Sequence, residues 1–149
     1  MIVVSECLLG INCKYNAGNN ACKPLIEFAK NGGVIPVCPE QLGGLPTPRI
    51  PAEIINNKVR NKNGEDVTGN FKKGAEEALK IVDLVKPELI ILKAKSPSCG
   101  YQKIYDGSFT GKIIDGNGVF AKMLIDRNYK IITEENKEML QKLEEINGR

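Results

Sequence analysis

Three cysteines stand at equivalent points of the sequence, each shortly after a run of apolar residues. The cysteines are Cys7, Cys38 and Cys99, and the runs before them are Ile2-Val3-Val4, Val34-Ile35-Pro36-Val37 and Leu89-Ile90-Ile91-Leu92. Short apolar runs rich in β-branched residues are typical of buried strands. If these strands are parallel, all three thiols emerge at the carboxyl edge of one sheet, where open α/β sheets bind their ligands. The pattern predicts a shared metal or cluster site.

The composition narrows the kind of metal site. A single free cysteine is more often a small buried core residue than a ligand, so only the coincidence of three favours a shared site. The chain has five cysteines and no histidine, which excludes Cys2His2 and Cys3His zinc sites. Successive cysteines are separated by 5, 8, 15 and 60 residues, so no zinc knuckle with two to four intervening residues occurs. Iron–sulfur clusters accept more varied spacings.

Two further cysteines lie in or next to the asparagine-rich stretch 10–20. Cys13 is interpreted either as a fourth ligand or as a thiol close to the site. Cys22 lies where a helix is expected to begin, and it is interpreted as structural. With three protein thiolates, a four-iron cluster keeps one iron open to a sulfur or oxygen atom of a substrate.

Length and charge bound the remaining possibilities. A chain of 149 residues with 42% hydrophobic and 26% charged residues suits one globular domain, 1–149. The net charge of +3 is too small to indicate binding to duplex nucleic acid. Neither a secretory signal nor a membrane-spanning run is recognisable, so a cytoplasmic location is predicted. Because thiols stay reduced in the cytosol, the cysteines are not expected to form a disulfide framework.

The order of predicted elements gives the fold class. Strands are predicted at 2–5, 34–37, 88–93 and 129–132, and helices at about 22–30, 69–86, 118–127 and 133–146. Loops are expected at 6–20 and 38–51, a small hairpin at 57–67 around Lys62-Asn63-Gly64, and a turn-rich flap at 101–118. Strands that alternate with helices predict a three-layer α/β fold, with a mostly parallel, Rossmann-like open sheet and helices on both faces.

The motifs around the three cysteines are long enough to indicate a family. They are Val4-Ser5-Glu6-Cys7-Leu8-Leu9-Gly10 with Cys13 and Tyr15, Val37-Cys38-Pro39-Glu40-Gln41-Leu42-Gly43-Gly44-Leu45-Pro46 with Pro48-Arg49, and Leu92-Lys93-Ala94-Lys95-Ser96-Pro97-Ser98-Cys99-Gly100. Together with Gly64-Glu65-Asp66-Val67-Thr68 and Tyr105-Asp106-Gly107, they resemble the DUF523 family, which includes the thiouracil desulfurases. The resemblance covers nearly the whole chain.

The resemblance implies a cofactor, a substrate class and a reaction. The implied cofactor is a [4Fe-4S] cluster held by Cys7, Cys38 and Cys99. The implied enzyme is a non-redox desulfidase, which replaces the sulfur of a thiolated pyrimidine, thiouracil or 4-thiouridine monophosphate, by the oxygen of water and releases sulfide. A soft thiocarbonyl sulfur suits cluster iron better than a carbonyl oxygen does.

Several residues near the motifs are candidates for catalysis or substrate binding. Glu40 is interpreted as a general acid/base or as a cap of its own loop, and Ser98 as a second catalytic candidate. Ser96 and Ser98 could bind cluster sulfides or substrate, or could stabilise their turn. Arg49 and Lys95 could hold a nucleotide phosphate or remain solvated. Tyr101 could stack on a pyrimidine ring, as could Tyr105.

One position departs from the family pattern. Where relatives have Tyr-Asp-Gly after the second cysteine, this chain has Tyr15-Asn16-Ala17-Gly18. Asn16 cannot transfer a proton as an aspartate can, although it could hydrogen-bond a substrate ring. Asn16 is therefore kept as a candidate substrate-binding residue.

Two alternatives to the desulfidase remain open at this stage. One is a sensor or binding module that holds zinc or a labile cluster without turnover. The other is an enzyme that uses Cys99 as a nucleophile without any metal, which the absence of histidine makes harder because no imidazole can activate the thiol. The oligomeric state is not predicted.

Overall fold

The computed structural model describes residues 1–147 and contains eight strands, five α-helices and one 3-10 helix in that range. In chain order these are β1 (Ile2–Ser5), the 3-10 helix (Glu6–Leu9), α1 (Lys23–Ala29), β2 (Val34–Val37), α2 (Pro39–Leu42), β3 (Ala52–Ile55), β4 (Lys58–Asn61), α3 (Thr68–Val85), β5 (Leu89–Leu92), β6 (Lys103–Tyr105), β7 (Ile113–Asp115), α4 (Val119–Asp126), β8 (Ile131–Thr133) and α5 (Lys137–Asn147). No helix among residues 1–147 has the length and apolar character that crossing a bilayer requires.

The central sheet has four parallel strands in the order β2-β1-β5-β8. Strand β1 pairs with β2 on one side and with β5 on the other, so that Ile2 is level with both Val34 and Leu89. The chain therefore adds β2 on one side of β1, and later crosses to the opposite side of β1 to add β5 and then β8. Such a reversal opens a crevice at the carboxyl ends of the two strands beside it, here β1 and β5.

Helices cover both faces of this sheet. Alternate strand residues point to opposite faces, and Val3 and Ile90 pack on one side with α3 and α4. Val4 and Ile91 pack on the other side with Leu25 of α1 and with residues of α5. The prediction of a three-layer α/β fold with a mostly parallel sheet is confirmed, and the four predicted strands and four predicted helices are present with shifts of a few residues at their ends.

Three segments outside the central sheet differ from the prediction. The predicted hairpin around Lys62-Asn63-Gly64 is present, since Arg60 and Asp66 form an antiparallel bridge across that turn. An unpredicted hairpin, β3–β4, precedes it and turns at Asn56-Asn57, both with positive φ, which is the geometry of a type I′ turn. The loop at 38–51 contains α2, because Pro39 occupies the first helical position, where proline is favoured. The flap at 101–118 contains the antiparallel pair β6–β7.

Helix α2 lies against α3 with backbone touching backbone. A Cβ atom placed on Gly74 of α3 would lie 1.7 Å from the Pro39 carbonyl oxygen, and one on Gly43 would lie 2.0 Å from the Asn70 carbonyl oxygen. The Asn70 side chain also donates a hydrogen bond of 2.9 Å to the Gly43 carbonyl oxygen. The long helix thereby fixes the position of the short one, which follows Cys38 directly.

Replacing Gly74 by alanine is expected to lower the free energy of unfolding by about 2 kcal/mol or more, because the added methyl group overlaps α2. Helix propensity alone would predict a gain of about 1 kcal/mol. Gly69 is the matched control, since it lies in the same helix with no atom near its missing Cβ. Urea denaturation should separate the two variants, and a Gly74→Ala protein as stable as the wild type would contradict the close contact.

Candidate metal centre and active site

A cavity of about 550 Å³ lies in the crevice at the carboxyl ends of β1, β2 and β5. Cys7, Cys38 and Cys99 all line it, as the parallel arrangement of their strands predicts. Each comes from the segment that follows a different strand, so sequence separations of 31 and 61 residues are closed by the sheet. Four thiols in all face this space, because Cys13 lines it too.

Cys13 is the buried thiol between two of the others. It hydrogen-bonds with both Cys7 and Cys38, and its side chain is only 2% exposed. Its backbone carbonyl oxygen accepts a hydrogen bond of 2.9 Å from Arg49 Nη2, which ties this loop to the segment after α2. The sequence left its role open between ligand and neighbouring thiol, and the structure brings it into the same group.

The hydrogen bonds of Cys13 set the protonation of its neighbours. Its single S–H proton can be donated to either neighbouring sulfur, and these hydrogen bonds, with Cys38 and with Cys7, raise the pKa of Cys13 above that of a free thiol. The hydrogen bond from Cys13, with smaller help from Asn20 and Lys93, lowers the pKa of Cys7 to about 7. The same donor lowers the pKa of Cys38. Without any metal, both Cys7 and Cys38 therefore lose their protons more readily than a free thiol does, and the thiolate is the form that binds metals.

Cys99 differs from these thiols because it is almost fully buried. Burial raises its pKa to about 12, and the hydrogen bond from Ser5 only partly opposes that effect. The Ser5 hydroxyl also accepts a hydrogen bond of 2.9 Å from the Lys93 backbone N–H, so it joins the ends of β1 and β5 beside this thiol. A high pKa and poor access both argue against Cys99 as a metal-free nucleophile.

In reduced, metal-free protein, iodoacetamide is expected to alkylate Cys7 at a rate that reaches half its maximum near pH 7, because a lowered pKa keeps the thiolate present until the pH falls through that value. Cys99 should stay unlabelled up to pH 9, since its pKa is about 12. Peptide mass spectrometry of samples labelled across pH 6–9 measures both, with Cys22, whose pKa is raised by burial, as the comparison. Labelling of Cys99 before Cys7 would contradict these environments.

Glu40 is held at the edge of the cavity by two partners. Its Oε1 accepts a hydrogen bond of 3.1 Å from Arg49 Nε, and its Oε2 accepts one of 2.8 Å from the Ser98 hydroxyl. Ser98 is in turn 2.9 Å from the hydroxyl of Ser96. The Ser96 oxygen accepts from the backbone N–H groups of Ser98 and Cys99, so its own proton points to Ser98. The three side chains form one directed chain of donors that ends on the carboxylate.

The cationic candidates are already paired. The Arg49 side chain is 6% exposed, and besides Glu40 it donates to the Pro46 carbonyl, the Thr47 hydroxyl and the Cys13 carbonyl. This arrangement positions Glu40 and the Cys13 loop, so the predicted contact with a phosphate gains no support from it. Lys95 lines the cavity and forms an ion pair of 3.1 Å with Glu135.

Two predicted substrate-binding residues lie elsewhere. Among the residues that the structure describes, neither Asn16 nor Tyr101 lines the cavity. Asn16 is exposed and its side chain accepts a hydrogen bond from the Gly18 backbone N–H, whereas Tyr101 packs against the core between the sheet and α3 and α4. Tyr105, the alternative aromatic residue, does line the cavity.

Among the polar cavity residues that the sequence did not single out are Ser5, Glu6 and Glu53. The Glu6 carboxylate and the sulfurs of Cys13 and Cys38 lie within 4.8 Å of one another, close enough to hold a metal ion. Glu6 and Ser5 belong to the first cysteine motif, so their place beside Cys7 was the available indication. Glu53 offered none, because its strand lies outside the central sheet.

The sequence model of a known family, described as 2-thiouracil desulfurase, matches residues 2–136 of this chain. The chain belongs to the 2-thiouracil desulfurase family. The match spans all the cavity-lining segments, from β1 to the loop that contains Phe109 and Gly111, and it confirms the resemblance found in the cysteine motifs.

Two relatives of this 2-thiouracil desulfurase family member span nearly its whole length. A Bacillus subtilis (strain 168) protein, the uncharacterized protein YbbK, is 40% identical over 144 residues, which cover 90% of this chain and 95% of YbbK. A solved structure described as the [4Fe-4S]-dependent thiouracil desulfidase TudS (DUF523Vcz) is 35% identical, with a TM-score of 0.87 and coverage of 97% of each chain. That likeness extends the fold agreement to the whole sheet and its helices.

Proposed function

We propose that this protein is an iron–sulfur-dependent desulfidase that converts a thiolated pyrimidine and water into the corresponding pyrimidine and hydrogen sulfide. Its family membership and its likeness to the solved structure of a [4Fe-4S]-dependent thiouracil desulfidase support the activity and the [4Fe-4S] cofactor. The observation that carries the proposal is the meeting, in one cavity, of a group of thiols with the Glu40–Ser98 pair.

The donor set fits a cluster better than it fits a hard cation. Cysteine thiolates are the usual ligands of iron–sulfur clusters, and Cys7 and Cys38 already have lowered pKa values. Cys7, Cys38 and Cys99 are the proposed ligands, and Cys13 acts as a hydrogen-bonding neighbour. When bound, the cluster supplies a Lewis-acidic iron for which a thiocarbonyl sulfur is a good ligand.

Glu40 has the position of a general base and acid. Its Oε2 accepts the Ser98 hydroxyl proton, and Arg49 fixes the orientation of the carboxylate. Oε2 is the atom that takes a proton from the attacking water, whose oxygen forms a bond to the ring carbon while the carbon–sulfur bond breaks. The same proton and the second proton of the water leave with the sulfur as hydrogen sulfide, so no electron is gained or lost. The hydrogen bonds from Ser96 to Ser98 and from Ser98 to Glu40 orient the carboxylate for this transfer.

The cavity size suits a pyrimidine base or nucleotide. Its volume of about 550 Å³ lies within the usual range for small-ligand sites. Lys14 and Lys62 also line the cavity and add positive charge, whereas Arg49 is held by Glu40. Thiouracil and 4-thiouridine monophosphate remain the two substrate classes to compare. The absence of duplex nucleic acid as a partner, the cytoplasmic location and the single domain stay predictions.

The experiment is anaerobic reconstitution with iron and sulfide, followed by incubation with 2-thiouracil, 4-thiouracil and 4-thiouridine monophosphate. We expect sulfide and the desulfurated pyrimidine to appear in equal amounts, without added reductant. A fully loaded protein that releases no sulfide from any of the three compounds contradicts the proposed function.

A binding module without turnover is the second candidate, favoured by the grouping of Glu6, Cys13 and Cys38 within 4.8 Å. Such a group could capture a thiophilic divalent ion such as Zn²⁺. Metal analysis of protein purified without oxygen separates the two candidates. Stoichiometric zinc, or a cluster that forms without sulfide release, supports the module, and about four irons per chain together with sulfide release support the desulfidase.

A further inference from the structure

The antiparallel pair β6–β7 and its connecting loop form one wall of the cavity. Tyr105 ends β6, and Phe109 lies in the loop that leads to β7; both side chains line the cavity, as does Gly111. This wall carries neither a proposed cluster ligand nor a member of the Glu40 donor chain. The two aromatic residues make this wall suited to contact a flat ring.

Phe109 is held in an unfavourable backbone conformation. Its φ of 59° lies in the left-handed region, which is costly for a residue with a bulky side chain. A hydrophobic residue in this conformation persists only where its surroundings determine it, and such residues concentrate at ligand sites. The Phe109 side chain is only half-buried at the cavity wall, so its packing against the fold offsets little of this backbone cost.

Glu53 supplies the determining contacts from a different element. One carboxylate oxygen of Glu53, on β3, accepts hydrogen bonds from the backbone N–H groups of both Gly107 and Phe109, at 3.0 and 3.1 Å. Gly107 itself has a φ of 94°, and a Cβ atom there would lie 2.7 Å from the Ile55 Cβ. Within the loop, the Asp106 carboxylate accepts from the Ser108 backbone N–H. The loop is therefore pinned to β3 at its tightest point.

We propose that Phe109 is a specificity-determining residue that stacks on the flat face of the substrate's heteroaromatic ring, and that Glu53 is the positioning residue that holds it there. This inference rests on the proposed function, because it takes the ring to be that of a thiolated pyrimidine. A ring in van der Waals contact with an aromatic side chain gains affinity whatever its substituents. The wall thus selects planar rings, while the thiols and Glu40 act on the thiocarbonyl group.

The first test measures binding without turnover. The chain contains no tryptophan, so Phe109→Trp introduces a single fluorescent reporter at the wall. Leu84→Trp, on α3 and 84% exposed, is the matched control outside the cavity. Each cluster-loaded variant is titrated with 2-thiouracil under anaerobic conditions, and its tryptophan emission is read at once and corrected for absorbance. The emission of Phe109→Trp should be quenched in a saturable manner, and that of Leu84→Trp should not change. Equal responses of the two variants would overturn the proposal.

The second test separates positioning from general structure. Phe109→Leu is expected to raise KM for the thiolated pyrimidine about 10-fold or more, with kcat and iron content near wild type, and Phe109→Tyr should restore most of the affinity. Glu53→Ala should raise KM to a similar extent, and Glu53→Gln, whose amide oxygen can still accept both hydrogen bonds, should rescue it.

The outcomes distinguish the two proposals. An active wild-type enzyme whose KM is unchanged by Phe109→Leu overturns the stacking role alone. Failure of Glu53→Gln to rescue, or loss of iron in Glu53→Ala, overturns the positioning role. A wild-type protein that loads its cluster but releases no sulfide, together with saturable quenching in Phe109→Trp, contradicts the proposed function and leaves the aromatic wall in place.

Discussion

Replacing Cys38 by alanine is expected to abolish both the cluster and the activity. A four-iron cluster that has three protein thiolates cannot be held by two, and the remaining thiols lie at positions fixed by the ends of their strands. Anaerobically reconstituted wild-type protein should show broad absorbance near ~400 nm and about four irons per chain. The variant should show neither, and its sulfide release should fall to background. Cys7→Ala and Cys99→Ala should behave in the same way.

The other cysteines provide the controls for this result. Cys22 packs with the core on the opposite face of the sheet from α3, so Cys22→Ala should keep full iron content. Cys13→Ser tests the remaining ambiguity, because Cys13 touches two of the proposed ligands. Retained iron in Cys13→Ser and lost iron in Cys38→Ala would support the proposed ligand set. The reverse pattern would replace Cys38 by Cys13 as a ligand. Thermal unfolding of each variant excludes simple misfolding as the cause.

Glu40→Gln is expected to lower kcat by about 10²- to 10⁴-fold, the usual range for loss of a positioned general base. The substituted side chain has the same shape, and its amide oxygen can still accept the Ser98 hydroxyl proton. What it loses is the capacity to take a proton from water. Iron content, absorbance and KM should therefore stay near wild-type values while sulfide release slows in stopped assays.

A matched variant guards against trivial explanations of this effect. Glu76→Gln makes the same chemical change on an exposed position of α3 and should leave kcat unaltered. Arg49 loses its ionic partner in Glu40→Gln, so some loss of stability is expected because a buried guanidinium charge is left without a carboxylate beside it. A Glu40→Gln enzyme that turns over at more than a tenth of the wild-type rate would remove Glu40 from the proton-transfer role.

The central sheet could be predicted because its strands carry strong local patterns. The apolar runs 2–4, 34–37 and 89–92 differ enough from their loops that their positions, and the edge at which the cysteines meet, follow from sequence alone. The hairpin turn at Asn56-Asn57 was missed because a glycine in the nearby Lys62-Asn63-Gly64 is the stronger turn former. Helix α2 was missed because prolines and glycines favour irregular structure unless the first helical turn is considered.

The sequence predicted which thiols meet in the candidate site, but it did not predict the hydrogen bonds that join the polar side chains around them. Sequence motifs identified Glu40 and Ser98 but could not show that the two side chains bond to each other across 58 residues. Arg49 looked like a free cation, because local sequence does not reveal that its guanidinium group is enclosed by Glu40 and three further acceptors. Asn16 and Tyr101 were adjacent to motif residues in sequence, yet chain neighbours on a loop can face away from each other. Their predicted roles stay untested.

The position of β1 at the middle of the sheet also determines when this protein can acquire iron. Its neighbours are β2, made soon afterwards, and β5, which the ribosome reaches only at residues 89–92. Until Cys99 has left the exit tunnel, the nascent chain lacks one of the three proposed cluster ligands. The three proposed ligands are consequently brought together only after β5 has been synthesised and has paired with β1.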